Sequence, residues 1–122
     1  MYSINEVAAM CDVTAHTLRF YDKEGLLPFV RRNGAGNRIF TENDLTLIRF
    51  IFCLKNTGMS IKEIKRYIEM SIEGEDTAET RRDIILGRRK EVLRQIDELK
   101  KCLNILDLKV ASFDSYKNEI SW

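Results

Sequence analysis

The chain has 122 residues, 44% of them hydrophobic and 32% charged, which suits one small folded domain with an appendage. No apolar run approaches the roughly 20 residues that span a bilayer, and the opening MYSINEVAAM lacks the basic segment and long apolar core of a secretory signal, so a cytoplasmic protein with no membrane partner is expected. The formal charge of +1 conceals an asymmetry: residues 1–66 carry ten Lys/Arg against seven Asp/Glu, and residues 67–122 carry ten against twelve, so a nucleic-acid contact is better placed on the first half.

Ser3 followed by Glu6 is a capping-box pattern, and Ile4, Val7, Ala8 and Cys11 then share one helical face. Asp12-Val13 makes a short break, Thr14 caps a second helix with Leu18 and Tyr21 at helical spacing, and Gly25 ends it. Two short helices joined by a tight turn have helix-turn-helix spacing. Phe29–Arg32 and Arg38–Phe40 read as extended stretches around Asn33–Asn37, a turn rich in residues that tolerate positive φ. The result is a small β-hairpin with a basic rim, a candidate wing.

Thr41 caps the next helix, with Leu45, Ile48, Ile51 and Phe52 as its buried stripe, and the helix ends at Thr57-Gly58. Ser60 and Glu63 open a fourth helix whose inner face is Ile61, Ile64, Tyr67 and Ile68, broken at Glu73–Asp76. Thr77 is read as the cap of a last helix reaching about Phe113. In it Val92, Ile96, Leu99, Leu103, Leu106, Val110 and Phe113 alternate steps of four and three, a heptad stripe. Such a helix is about 55 Å long, more than one small head covers. An exposed Leu/Ile stripe calls for a partner helix, most simply the same helix of a second copy.

The expected fold class is therefore mainly α: a winged helix-turn-helix head with a small β-hairpin wing, then a long C-terminal coiled-coil dimerisation helix. The head is placed at residues 1–72, and the linker, dimer helix and short tail at 73–122.

Other chemistry is poorly supported. Cys11, Cys53 and Cys102 are widely spaced, no C-x-x-C occurs, and His16 is the only histidine, so neither a disulfide framework nor a zinc site is expected. Neither a metal nor a cofactor is assigned. The G-x-G at Gly34–Gly36 lacks the strand–turn–helix setting that would make it a phosphate loop, and an enzyme is not expected.

The segments SINEVA (3–8), VTAHTLRFYDKEGLL (13–27), GNRIFTENDL (36–45) and NTGMSIKEI (56–64) together resemble the MerR family of bacterial transcription regulators. The resemblance is dense over about the first 70 residues, and the long helix follows the family in architecture only. It implies a homodimer, joined through an antiparallel coiled coil, on double-stranded promoter DNA. The dimer would distort a palindromic element and bring it into register with RNA polymerase, at a deformation cost offset by contacts.

On this reading the second helix enters the major groove. Thr14, His16, Thr17 and Arg19 are its polar face, with His16 and Arg19 the candidates for base edges, since arginine can bridge O6 and N7 of guanine. Tyr21 matches a family aromatic that bonds the phosphate backbone, whereas Phe20 stands where tyrosine is frequent. Arg31, Arg32 and Arg38 are candidate backbone contacts of the wing, with Phe40 beside them where tyrosine is common. Ser60 and Lys62, at a helix start, form a third candidate phosphate contact. The alternatives are a solvated polar face and a plain Ser60 cap.

Cys53, within IRFIFCLKN (48–56), resembles the helix cysteine of a subgroup that includes AdhR- and NmlR-type regulators, where it is linked to sensing aldehydes or other electrophiles. The thiolate is the reacting species, and Arg49, Lys55 and the helix start at Ser60 are possible neighbours for it. The alternative is a small buried apolar residue. Cys11 and Cys102 are assigned no role. The tail LDLKVASFDSYKNEISW has no cysteine pair of the kind family metal sensors carry, and a separate drug-sensing domain is not expected. A non-covalent effector, a DNA-architectural protein and a coiled-coil adaptor remain as other functions.

Overall fold

The computed structural model describes residues 1–115. One short strand and a helix pair open the chain: β1 (Tyr2–Ser3), α1 (Ile4–Met10) and α2 (Ala15–Lys23). The wing strands β2 (Arg31–Arg32) and β3 (Arg38–Phe40) follow, then α3 (Glu42–Asn56), α4 (Ile61–Glu73), a 3₁₀ turn at Glu75–Thr77, and α5 (Ala78–Asp114). The architecture is mainly helical, as expected. No helix among the described residues is long and apolar enough to cross a membrane.

Each helix of the head starts where its cap dictates. Ser3, Thr41 and Ser60 form full capping boxes with Glu6, Asp44 and Glu63, and the Thr14 hydroxyl accepts from the Thr17 N–H. The Glu6 carboxyl is held below its ordinary pKa, first by the Ser3 backbone N–H and then by the Ser3 hydroxyl. Three helices end alike. After α1, Asp12 takes a positive φ of 55°, and the Val13 N–H returns to the Ala8 carbonyl at 3.0 Å. After α2, Gly25 (φ 83°) lets the Leu26 N–H reach the Tyr21 carbonyl; after α3, Gly58 (φ 95°) lets the Met59 N–H reach Leu54. These 6→1 bonds satisfy carbonyls that a helix end would otherwise leave bare. They also turn Leu26 and Met59 into the core, where both are buried.

The core of the head gathers Val7 from α1, Leu18 and Tyr21 from α2, Phe40 from β3, Leu45, Ile48, Ile51 and Leu54 from α3, and Ile64 and Ile68 from α4. Each such side chain contributes about 1.5–3 kcal/mol when removed from water. On α3 the buried face includes Leu54, while Phe52 is only half-buried and stacks on Tyr21, ring centroids 5.2 Å apart.

The wing differs from the expected two-stranded hairpin. The sheet has three strands in the order β1-β3-β2, all antiparallel, with Tyr2 opposite Phe40 and Arg31 opposite Ile39. β1 is two residues long, too short to show alternation, yet it covers an edge of β3 that would otherwise be open. Tyr2 also donates a hydrogen bond to Glu42 at the start of α3. β2 is shorter than the Phe29–Arg32 stretch, because the Val30 N–H turns back to the Leu27 carbonyl.

Thr77 does not cap α5 as expected. It sits in the 3₁₀ turn, and its hydroxyl lies 2.6 Å from the Met70 carbonyl and 2.8 Å from that of Gly74, while Arg81 Nε donates to it at 3.0 Å. These bonds tie the turn to the end of α4. The first compact unit accordingly runs Met1–Ile84, beyond the break at Glu73–Asp76, and a second unit begins at Ile85. Within α5 no residue is buried. Leu99, Leu103, Leu106, Val110 and Phe113 are 68%, 56%, 61%, 59% and 67% exposed.

Candidate nucleic-acid interface

On α2, His16 and Arg19 are exposed, Thr14 is exposed and Thr17 is half-buried. Leu18 and the Tyr21 ring point the other way, into the core, which fixes the polar face outward. Thr14 and Thr17 are partly engaged with each other, their hydroxyl oxygens 2.9 Å apart. That leaves His16 and Arg19 as the projecting members of the face. Among the described residues no carboxylate lies within salt-bridge distance of Arg19.

The wing tip is internally organised. Asn33 Oδ1 accepts from the N–H groups of Ala35 and Asn37, both at 3.0 Å, and the Asn33 N–H donates to the Asn37 carbonyl at 2.8 Å. An asparagine side chain mimicking a backbone turn fixes the loop before any ligand arrives. Arg31 and Arg32 are exposed on β2, and Arg32 Nη1 donates to the Gly36 carbonyl at 2.8 Å. Arg38, half-buried on β3, is held by Asp22 of α2 through its Nε at 2.6 Å. Asp22 was not legible in the sequence as a functional residue. It lies in the same helix as the polar face, and nothing in its spacing pairs it with a residue sixteen positions on.

A polar cavity of about 360 Å³ opens where these elements meet, walled by Arg19 of α2, Arg32, Asn37 and Arg38 of the wing, and Ser3 and Asn5 at the start of the chain. The sequence foresaw the three arginines but not that they share a cavity, nor the part played by residues 3–5.

Phe40 requires a correction. It is fully buried and pairs across the sheet with Tyr2, so its side chain supports the wing from inside and offers nothing to DNA. Tyr21 is likewise ring-buried. Ser60 and Lys62 are exposed, but the Ser60 hydroxyl accepts from the Glu63 N–H and the Glu63 carboxylate caps the Ser60 N–H, both at 3.1 Å. That puts an acidic group at the helix start proposed for a phosphate.

Cys53 is exposed on α3 and does not fill the core, contrary to the buried-residue alternative. Arg49, considered as its neighbour, acts on Cys11: burial pushes the Cys11 thiol pKa up and the nearby Arg49 charge opposes that shift. A separate apolar cleft of about 460 Å³ in the first unit is lined by Phe29, Phe50, Ile51, Leu54, Tyr67 and Ile68, among others, with Arg81 also on its wall.

Comparison with known proteins points one way. A family model described as MerR HTH family regulatory protein matches residues 2–71, and another described as MerR, DNA binding matches residues 45–107. An HTH-type transcriptional regulator of Haemophilus influenzae is 47% identical over 116 residues, 95% of this chain and 86% of the relative. The regulator AdhR of Bacillus subtilis is 37% identical over 91 residues, 75% of this chain and 65% of AdhR. Among solved structures, HiNmlR, a MerR family regulator lacking the sensor domain and bound to promoter DNA, has a TM-score of 0.87 at 48% identity, covering 93% of this chain and 90% of that one. A MerR family regulator from Bacillus thuringiensis has a TM-score of 0.86 at 41% identity, covering 91% and 97%.

Proposed function

Because this chain belongs to the MerR family and is a DNA-binding transcription regulator, we propose that it acts in the cytoplasm as a homodimer on a palindromic promoter element. In this reading α2 lies in the major groove with its polar face of Thr14, His16, Thr17 and Arg19 toward the DNA, and Arg31, Arg32 and Arg38 of the wing, with Lys62 of α4, engage the backbone. The observation that carries it is the outward polar face of α2, with the basic wing pinned to the same helix by the Asp22–Arg38 pair at 2.6 Å.

The dimer forms through the α5 stripe from Val92 to Phe113, whose exposed leucines in a single chain are an apolar surface that water disfavours. Two heads on one coiled coil hold two half-sites at fixed spacing. Changing the angle between them bends and untwists the DNA and presents the promoter to RNA polymerase. The test is fluorescence anisotropy of the protein with duplexes tiled from the DNA flanking its own gene, each against a scrambled control. One duplex should be preferred strongly; equal affinity for all would refute the reading.

The signal in this reading enters at Cys53. Its exposure on α3 leaves the sulfur accessible. The thiolate adds to an aldehyde carbonyl, and a proton on the resulting oxygen completes a hemithioacetal, with no other reactant required. Cys53→Ser should retain DNA binding and lose the response of a promoter reporter to formaldehyde and methylglyoxal. A full response in Cys53→Ser, Cys11→Ser and Cys102→Ser alike would favour a second reading, a non-covalent apolar effector in the 460 Å³ cleft.

A further inference from the structure

The three arginines that wall the polar cavity belong to three different elements, α2, β2 and β3, and among the described residues no carboxylate lines it. Arg32 is oriented by the Gly36 carbonyl at 2.8 Å, and Arg38 by Asp22 at 2.6 Å through its Nε. Arg19 has no acidic partner within reach among the described residues. Asn5 and Asn37 add amide groups to the wall. Three arginines lining one cavity make it electropositive, and a tetrahedral phosphate accepts several guanidinium donors at once. The cavity, about 360 Å³, has room for a phosphodiester group.

We propose that this cavity seats one phosphate of the DNA backbone, held jointly by Arg19, Arg32 and Arg38, so that Arg19 is a backbone contact and not a reader of guanine. The inference rests on the DNA-binding reading above and deepens it. Base choice by α2 then falls to His16, the other projecting member of its polar face. Asp22 is a positioning residue: it holds Arg38 by one edge and ties the wing to α2, so Arg38 is oriented before DNA arrives. The shared chemistry is phosphate, and free inorganic phosphate would meet the same donors; the diester is favoured because the cavity lies beside the exposed face of α2.

The test uses the full chain. A duplex is first selected from a random pool by the wild-type protein, then binding is compared for R19A, R32A and R38A on the selected and a scrambled duplex across a salt series. Each variant should weaken both duplexes by a similar factor and leave the selected sequence unchanged. Loss of the whole contact lowers the magnitude of the salt slope by about 0.9 per half-site, about 1.8 for the dimer on its duplex. A scan of single methylphosphonate substitutions should find one position per half-site at which all three variants bind no worse than wild type, because the shared contact is already gone. D22N should weaken binding in the same manner as R38A and add nothing to it in the double variant.

R19A altering the base selected at one position, with an unchanged salt slope, would overturn the proposal while leaving the DNA-binding reading intact. So would methylphosphonate positions that differ among the three variants. Saturation by inorganic phosphate that duplex fails to displace, followed through the arginine Nε–H resonances, would assign the cavity to a free anion instead. A wild-type protein that selects no duplex would refute the reading beneath the proposal.

Discussion

Leu99 and Leu103 sit mid-stripe on α5, 68% and 56% exposed in the single chain. Fully burying a leucine is worth about 1.5–3 kcal/mol. Covering the exposed fractions of both, in both copies, therefore gives about 4–7 kcal/mol of the dimer's association energy. Replacing both with lysine removes that burial and adds the desolvation of four ammonium groups, so the dimer dissociation constant should rise by at least roughly 10³-fold. Lysine and leucine have similar helix propensity, and both positions belong to the second unit, so the helix and the head should persist. The assay is sedimentation velocity of Leu99→Lys/Leu103→Lys beside wild type, with circular dichroism as the folding control. The variant should sediment as a helical monomer. A dimer of unchanged stability, or a wild-type chain that is monomeric at micromolar concentration, would refute the assignment of the stripe.

Other outcomes follow from the same structure. Phe40→Ala should cost about 3–5 kcal/mol in chemical denaturation, because the ring is fully buried; a loss of DNA affinity without loss of stability would restore it to the interface. Gly58→Ala should cost about 1–2 kcal/mol, since its φ of 95° disfavours any Cβ; an unchanged midpoint would mean the turn relaxes without strain. The Glu91 carboxyl is held down at about 2, first by its hydrogen bonds to Arg94 and then by that to Gln95. NMR titration should place its midpoint there and Arg94→Ala should move it back toward the ordinary value. Because the folded pKa is the depressed one, the contact's stabilisation is complete above the ordinary glutamate value and fades as pH falls toward 2.

Most of the scaffold was legible because its signals are local. Ser3–Glu6, Thr41–Asp44 and Ser60–Glu63 are capping boxes four residues long, and Gly25 and Gly58 stop helices through their own backbone freedom. The α5 stripe repeats often enough to stand above noise. What escaped notice depends on distant partners. β1 is two residues whose only reason to be extended is the edge of β3. Phe40 looked like part of the basic rim because strand alternation over three residues does not say which face is inside. The Asp22–Arg38 pair and the cavity among Arg19, Arg32 and Arg38 exist only once the wing folds back on α2. Thr77 carried a good capping side chain, but Gly74 bends the chain so that its hydroxyl meets α4 carbonyls instead.

The central claim is that two copies of this chain read a symmetric DNA site together. Hydroxyl-radical footprinting on the duplex the protein selects, with the number of protomers bound measured on the same complex, tests it most directly. Two protected patches related by the duplex's two-fold axis, with two protomers per duplex, are expected. A single asymmetric patch with one protomer bound would contradict it.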